Sequence, residues 1–396
     1  MNRNLDKPKQ IIASLLQQAS GGPKFGQGQP DIEYSPLHGG YTASLVGVAT
    51  VTQRVVVKSD DNDNVVSQAQ ALQQAASDER LPKDLRDAFP KVLATQQQPS
   101  AYMMEHFDHA LGYLSLADAA FPSDGRQATS LTELQRPVSR FLDLAFGGYK
   151  GSANRRLMPN LWADSVDRIT DRLVLAEAAD ARLSLNQPLW LNDVPLPSLA
   201  DMLRALDKHR ALLGTWSAHF VTWVHGDPNA GNIIFKAEPT GVAVKLIDVK
   251  DWGTGDWVFD IAKVAHHLLV TLPIERPRPD AIRPVARFEH RGDAAGIDYR
   301  FDVPMDIEVL VQGILERTES FALSMGDTHW RARFDLYMAS CLLSVALGRL
   351  SDSRRPCISA ILMLYAEGLR WLQRVVDRLP AETHSTATAS VSIDAL

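Results

Sequence analysis

An α+β chain with two lobes is what this sequence predicts, a β-rich N-terminal lobe followed by a larger, mainly helical one. Three observations predict it. Short β-branched runs, LVGVATV and RVVVK, cluster before residue 105. Stretches with apolar residues at helical spacing dominate after residue 106. Between two of those stretches, residues 224–262 alternate strand-like apolar runs with polar residues at fixed offsets. At 396 residues the chain is long enough for two or three domains.

Residues 1–30 are expected to be a flexible lead-in containing one short amphipathic helix around Ile11–Leu16. Residues 31–105 make the N-lobe. Its two β-branched runs are joined at Thr52-Gln53 as a hairpin would be. A helix is predicted over Val65–Ala76, strands over Lys91–Ala94 and Ala101–Glu105, and a hinge near Glu105–Phe107. Residues 106–380 make the C-lobe. Helices are predicted over Leu131–Phe146, Ser165–Leu183 and Pro197–Leu213. In the second, Val166, Ile169, Leu173 and Ala176 share one face and read as core. Residues 272–303, rich in Pro and Arg and then in strand formers, read as an excursion with a small hairpin. Helices over Met305–Leu323, Trp330–Leu350 and Cys357–Leu379 follow, and residues 381–396, small and polar, are expected to be disordered.

Composition narrows the function classes. With 45% hydrophobic and 22% charged residues the chain reads as an ordinary soluble globular protein. A net charge of -6 argues against nucleic acid as the main partner, which would favour a basic surface, and suits a cationic substrate weakly. The two cysteines, Cys341 and Cys357, lie in helix-like apolar surroundings and read as buried structural thiols. The N-terminal residues lack the apolar core of a signal peptide, and no run reaches the roughly 18 to 20 apolar residues of a membrane span. A cytoplasmic monomer or homodimer without a membrane partner is expected.

The chemistry concentrates in VHGDPNAGNIIF…VAVKLIDVKDWGTGDWVFDIA. Gly226 permits a tight turn after the apolar run Val221–Val224, which leaves Asp227 in a loop. A carboxylate there can accept the proton of an attacking hydroxyl. Alone, Asp227 reads as a turn or cap residue. Asn232, five residues on and just before Ile233–Phe235, changes that reading. Asp248 ends the next run, Val242–Ile247, and an antiparallel pair turning at Pro239–Gly241 would bring it beside Asn232. Mg²⁺ takes hard oxygen ligands, often one or two carboxylates completed by phosphate oxygens. Asn232 and Asp248 fit that demand and leave Asp227 free as the base. Asp256 reads as the cap of a helix over Trp257–Leu269, and Asp260 as a brace for the Asp227 loop through backbone N–H groups.

The combined pattern HGDxxxxN…ID…GDxxxDxA, carried by His225, Gly226, Asp227, Asn232, Asp248, Gly255, Asp256 and Asp260, resembles the aminoglycoside phosphotransferase / choline kinase-like family of small-molecule kinases. The resemblance covers about residues 32–378 and implies a protein-kinase-like fold, with Asp227 as catalytic aspartate and Asn232 and Asp248 as Mg²⁺ ligands. It also implies nucleotide contacts in the N-lobe. Lys58, ending the run Val55-Val56-Val57, is the expected phosphate-gripping lysine. In HGGYTAS, Gly39, Gly40 and Ser44 fit a phosphate-covering turn, without the full GxGxxG pattern. Backbone groups around Glu105 and His106 would meet an adenine. One departure stands out. The N-lobe helix VVSQAQALQQAAS offers Gln68, Gln70, Gln73 and Gln74 where the family carries a glutamate to pair with the lysine. Asp78 or Glu79 at its end could substitute.

The expected function is therefore ATP- and Mg²⁺-dependent phosphoryl transfer to the hydroxyl of a small molecule, an antibiotic or a related metabolite. The departure in the N-lobe helix keeps open a second expectation, a kinase-like protein with weak or no catalysis that binds nucleotide and acts through a partner.

Overall fold

The computed structural model describes residues 6–19, 33–36, 44–49, 54–60, 64–123, 125–172, 186–250, 253–291, 294–350 and 357–380. Helix α1 spans Asp6–Ala19. Strands β1 (Glu33–Pro36), β2 (Ser44–Ala49) and β3 (Arg54–Ser59), helix α2 (Asn64–Ser77) and strands β4 (Val92–Gln96) and β5 (Ala101–Glu105) follow. The strands form one antiparallel sheet in the order β1-β2-β3-β5-β4.

Alternation along a strand sends neighbouring side chains to opposite faces, and here both faces are covered. Val46, Val48, Val55, Val57, Ala101 and Met103 form one buried cluster with Ile11, Ile12, Leu15 and Leu16 of α1. Val56, Tyr102 and Met104 join the main core on the other side, with Val65, Ala69 and Leu72 of α2. The double burial explains why β3 is an unbroken β-branched run. The lead-in expected to be flexible thus divides. Its helix is packed on the sheet, because an apolar outer face must be covered. Residues 20–32 lie outside the described residues, as does the tail 381–396.

Beyond β5 the chain is mainly helical. A short β6 (Leu114–Ser115) leads into α3 (Leu116–Ala120) and the long α4 (Leu131–Ser152), which starts with a Ser130/Glu133 capping box. The helix expected from Ser165 contains a π-helical stretch at Ala163–Asp167, and residues 173–185 lie outside the described residues. Strands β7 (Leu189–Leu191) and β8 (Val194–Leu196) form a hairpin that turns at Asn192 and Asp193, with φ of 48° and 65°. Two positive-φ residues of the Asn/Asp type mark such a turn. The predicted helix Pro197–Leu213 is two helices, α5 (Leu199–Lys208) and α6 (Arg210–Trp216), broken at His209.

The site region follows as β9 (Thr222–Trp223), β10 (Ile233–Glu238), β11 (Gly241–Leu246), β12 (Thr254–Gly255) and α7 (Trp257–His266). Helix α7 continues through a π-helical turn, His267–Thr271, to Glu275. By length and hydropathy Trp257–Glu275 could cross a membrane, yet 89% of that window is buried inside the protein, as a core helix is. The excursion does hold a hairpin, β13 (Val285–Arg291) with β14 (Ala294–Arg300), and β14 adds parallel to β7. Helices α8 (Met305–Met325), α9 (Trp330–Leu350) and α10 (Ile358–Val376) complete the lobe. Cys341 is buried in α9, but Cys357 is exposed, because it precedes the first turn of α10 rather than facing the core.

One polar knot ties α7 into the helical lobe. Arg333 of α9, fully buried, meets Asp256 at 2.6 Å and Asp327 at 2.6 Å. It also donates to the Trp216 carbonyl at 3.0 Å. Trp257 Nε1 and the Tyr337 hydroxyl donate to the same two aspartates. Removing the cation would strand two buried carboxylates. Arg333→Met is therefore expected to cost about 3–5 kcal/mol, read as a lower urea midpoint at unchanged slope. An unchanged midpoint would show that the knot contributes nothing to stability.

Candidate active site

Strands β9 and β12 pair, so the chain leaves β9 beside the start of α7. It turns at Gly226, whose φ of 81° suits glycine and strains other residues. Helix α7 then holds the turn. Asp256 caps it by accepting from Val258 N at 3.1 Å. One turn on, Asp260 accepts from His225 N at 2.8 Å, from Gly226 N at 2.9 Å and from the Tyr149 hydroxyl at 3.0 Å. That is the bracing expected of Asp260. Burial, partly offset by those donors, pushes its carboxyl up to about 7.

Asp227 projects between two lysines. Lys263 Nζ lies 3.1 Å from Oδ1 and Lys250 Nζ 3.8 Å from Oδ2. Burial works to raise the Asp227 carboxyl, but Lys263 and Lys250 outweigh it and hold the group far below the usual carboxylate range. Asp248 sits in a turn with φ of 63°, a left-handed conformation uncommon for an aspartate. Its carboxylate pairs with Lys58 of β3, and Lys250 Nζ stands 4.0 Å from its Oδ2. Burial again raises this group, and Lys58 and Lys250 outweigh it.

Asn232 joins the two loops. Its Nδ2 donates to the Asp227 carbonyl at 2.8 Å, and its carbonyl accepts from Ile247 N at 3.1 Å. The β10–β11 ladder, Ile233 opposite Leu246, fixes this register and sets Asn232 across from the residue before Asp248. Lys250 N donates to the His225 carbonyl at 2.9 Å, closing the second loop onto the first. Asp227, Asn232 and Asp248 are thus brought together, and Lys58 reaches them from the N-lobe sheet. The donor set suits a hard divalent cation. With Nδ2 engaged, the Asn232 amide still has its oxygen, and Asp248 is kept ionised. Among the described residues no group of three or more His, Cys, Asp or Glu makes a metal site by itself. One carboxylate and one amide oxygen leave positions that phosphate oxygens fill.

The N-lobe expectations divide. Gly39 and Gly40 lie outside the described residues, and Ser44 begins β2 opposite Ser59. Glu105 N donates to Lys91 O and His106 N to Arg54 O, so what these residues can offer a base is a carbonyl acceptor rather than a donor. Asp78 does not replace the missing glutamate, because it is paired with Arg80 at 2.6 Å. Gln68 of α2 has a buried Oε1 without a hydrogen-bond partner, and so does the hydroxyl of Tyr102, which stands opposite Lys58 in the ladder.

Lys250, Lys263, Tyr149 and the Arg333 knot escaped the sequence reading. Lys263 carried a signal: it follows Asp260 by three residues, on the same face of an otherwise apolar helix. His267 was also missed. Its Nδ1 accepts from Ala230 N at 3.2 Å, which requires that nitrogen to be unprotonated. Burial lowers its pKa from 6.5 to about 4, against the pull of Asp227 and with the push of Lys263 and Arg276. Between those values the unfolded chain binds the extra proton and the folded one does not. The folded state is therefore penalised only as pH falls below about 6.5, by about 2 kcal/mol at pH 5. His267→Gln is expected to lessen the fall in melting temperature between pH 7 and pH 5. A fall as steep as in the wild type would reject this role.

Comparison with known proteins agrees with this geometry. No curated protein matches the chain. A family model described as the phosphotransferase enzyme family (APH) matches residues 33–295. Among solved structures, an aminoglycoside phosphotransferase APH(4)-Ia in ternary complex with ADP and hygromycin B is similar at 12% identity and a TM-score of 0.52, over 92% of this chain and 98% of that one. Choline kinase from Cryptosporidium parvum gives 12% identity and a TM-score of 0.52, over 93% and 96%. A putative aminoglycoside phosphotransferase from Ralstonia eutropha gives 13% and 0.51, over 93% and 98%. The chain belongs to the phosphotransferase enzyme family, and its fold is the two-lobed, protein-kinase-like α+β fold.

Proposed function

We propose that this protein is a cytoplasmic, ATP- and Mg²⁺-dependent kinase that phosphorylates a hydroxyl of a small molecule. The observation that carries the reading is the chain of contacts from Lys58 through Asp248 and Lys250 to Asp227, which links the N-lobe sheet to the loop that bears Asp227. Bound Mg²⁺-ATP supplies the phosphoryl group and neutralises its charge. In this reading Asn232 and Asp248 hold the metal, and Lys58 leaves Asp248 to grip the phosphates. Carbonyls at Glu105 and His106 accept from the base.

Asp227 receives the acceptor hydroxyl. Flanked by Lys250 and Lys263, which hold it far below the usual carboxylate range, its carboxylate is ionised and can align the hydroxyl through a hydrogen bond. As the new P–O bond forms and the bond to ADP breaks, the hydroxyl proton passes by way of Asp227 to solvent. Catalysis then rests on positioning and charge, as in other phosphoryl transfers. For the acceptor, membership of the family and the hygromycin B and choline kinase structures support an aminoglycoside-like antibiotic or a related hydroxylated metabolite such as an amino alcohol.

With Mg²⁺-ATP and a panel of such compounds, ADP release is expected with at least one of them. Asp227→Asn should lower the rate about 10²-fold or more while nucleotide binding persists. A variant as fast as the wild type would remove Asp227 from the mechanism. The second reading, a nucleotide-binding protein that acts through a partner, draws on α2, which offers Lys58 glutamines and no acid. Binding of Mg²⁺-ATP without turnover on any acceptor would favour it.

A further inference from the structure

Lys250 links the two carboxylates in the middle of the site and has a further use there. Its Nζ lies 3.8 Å from Asp227 Oδ2 and 4.0 Å from Asp248 Oδ2. If Asp227 aligns the attacking hydroxyl and Asp248 holds the metal, the transferred phosphoryl group must pass between them. The ammonium group therefore stands where negative charge arrives. We propose that Lys250 is a phosphoryl-binding catalytic residue, whose ammonium group between Asp227 and Asp248 contacts the terminal phosphate when nucleotide binds. This rests on the kinase reading above.

Three observations single out Lys250. First, the loop His225–Asn232 reads HGDPNAGN and contains no Lys or Arg, so it brings no cation of its own to the terminal phosphate. Second, the three lysines of the site are held differently. The side chains of Lys58 and Lys263 are 8% and 10% exposed, and each is within hydrogen-bonding distance of its carboxylate. That of Lys250 is 31% exposed, and both of its contacts are longer. It can change partners at the least cost. Third, its backbone is fixed although its head is not. Lys250 N donates to the His225 carbonyl, and the Asp248 turn precedes it by two residues. The stem is thus aimed at the cleft from a rigid base, and side-chain torsions alone can bring its head to a phosphate oxygen.

Charge favours the same contact. Three ammonium groups face two carboxylates, which leaves one positive charge in excess. Once Asp248 is engaged by metal-nucleotide, Lys250 loses one of its two anionic neighbours and gains a phosphate oxygen, for which a charge-assisted hydrogen bond is available. The preference for a third phosphate then resides largely in this one side chain.

Calorimetric binding of ADP and of AMP-PNP, each with Mg²⁺, tests the assignment without requiring turnover or a known acceptor. Lys250→Met should weaken AMP-PNP about tenfold or more, the loss of one charge-assisted contact, and leave ADP within about twofold. Lys250→Arg should restore part of the preference. Lys58→Met should weaken both nucleotides. If Lys250→Met binds both as the wild type does, or weakens both alike while its melting temperature is unchanged, the assignment is wrong. If Lys250→Met melts early, Lys250→Gln under the same two ligands decides by the same criterion. Wild-type protein that binds neither nucleotide would instead overturn the kinase reading, and this assignment with it.

Discussion

Two backbone N–H groups and one buried carboxylate hold this site together. His225 and Gly226 both donate to Asp260, and the turn they make is the one that presents Asp227. A loop of eight residues would otherwise sample many shapes, and its ordering costs entropy at every residue. Asp260 fixes it from a helix whose N-terminus is itself fixed, because Asp256 both caps α7 and meets the buried Arg333. The chain of dependence runs from α9 through α7 to the turn at Gly226, and only then to the reacting groups. On one face of α7, positions 256, 260 and 263 anchor the helix, grip the loop backbone and contact the Asp227 carboxylate in turn.

That arrangement governs the electrostatics as well. Asp227 and Asp248 are both drawn into the protein, which alone would raise their pKa values and bring them toward neutrality. The lysines reverse the sign. Lys58 and Lys263 come from different lobes and act on different carboxylates, while Lys250 acts on both. The two carboxylates are thus kept ionised although they lie close together.

The sequence made the outline of the fold legible because its signals were local. Periodicity located most helices, and the glycine, carboxylate and amide of HGDPNAGN announced a turn whose geometry the structure bears out. Asp256 and Asp260 were legible for the same reason, since a helix start and its second turn lie a few residues apart. What stayed hidden depends on partners distant in the chain. Nothing near Arg333 says that Asp256, 77 residues earlier, will meet it, and Tyr149 reaches Asp260 from a helix that reads only as core. The β7–β8 hairpin was missed because its strands are three residues each, too short for alternation to register. Helix α1 reads as a loose lead-in because the strands it packs on, β4 and β5 together with the β2 and β3 residues of the same cluster, all follow it.

That same helix sets a condition on how the N-terminal lobe behaves as a unit. The strip it covers, Val46, Val48, Val55, Val57 and Met103, is continuous across three strands. With α1 detached, the sheet would offer water an oily surface with nothing to shield it, and self-association would be the cheapest relief. Any rocking of this lobe over bound nucleotide must therefore carry α1 along as ballast. Shortened versions of the protein that begin after Ala19 would be adhesive before they were inactive.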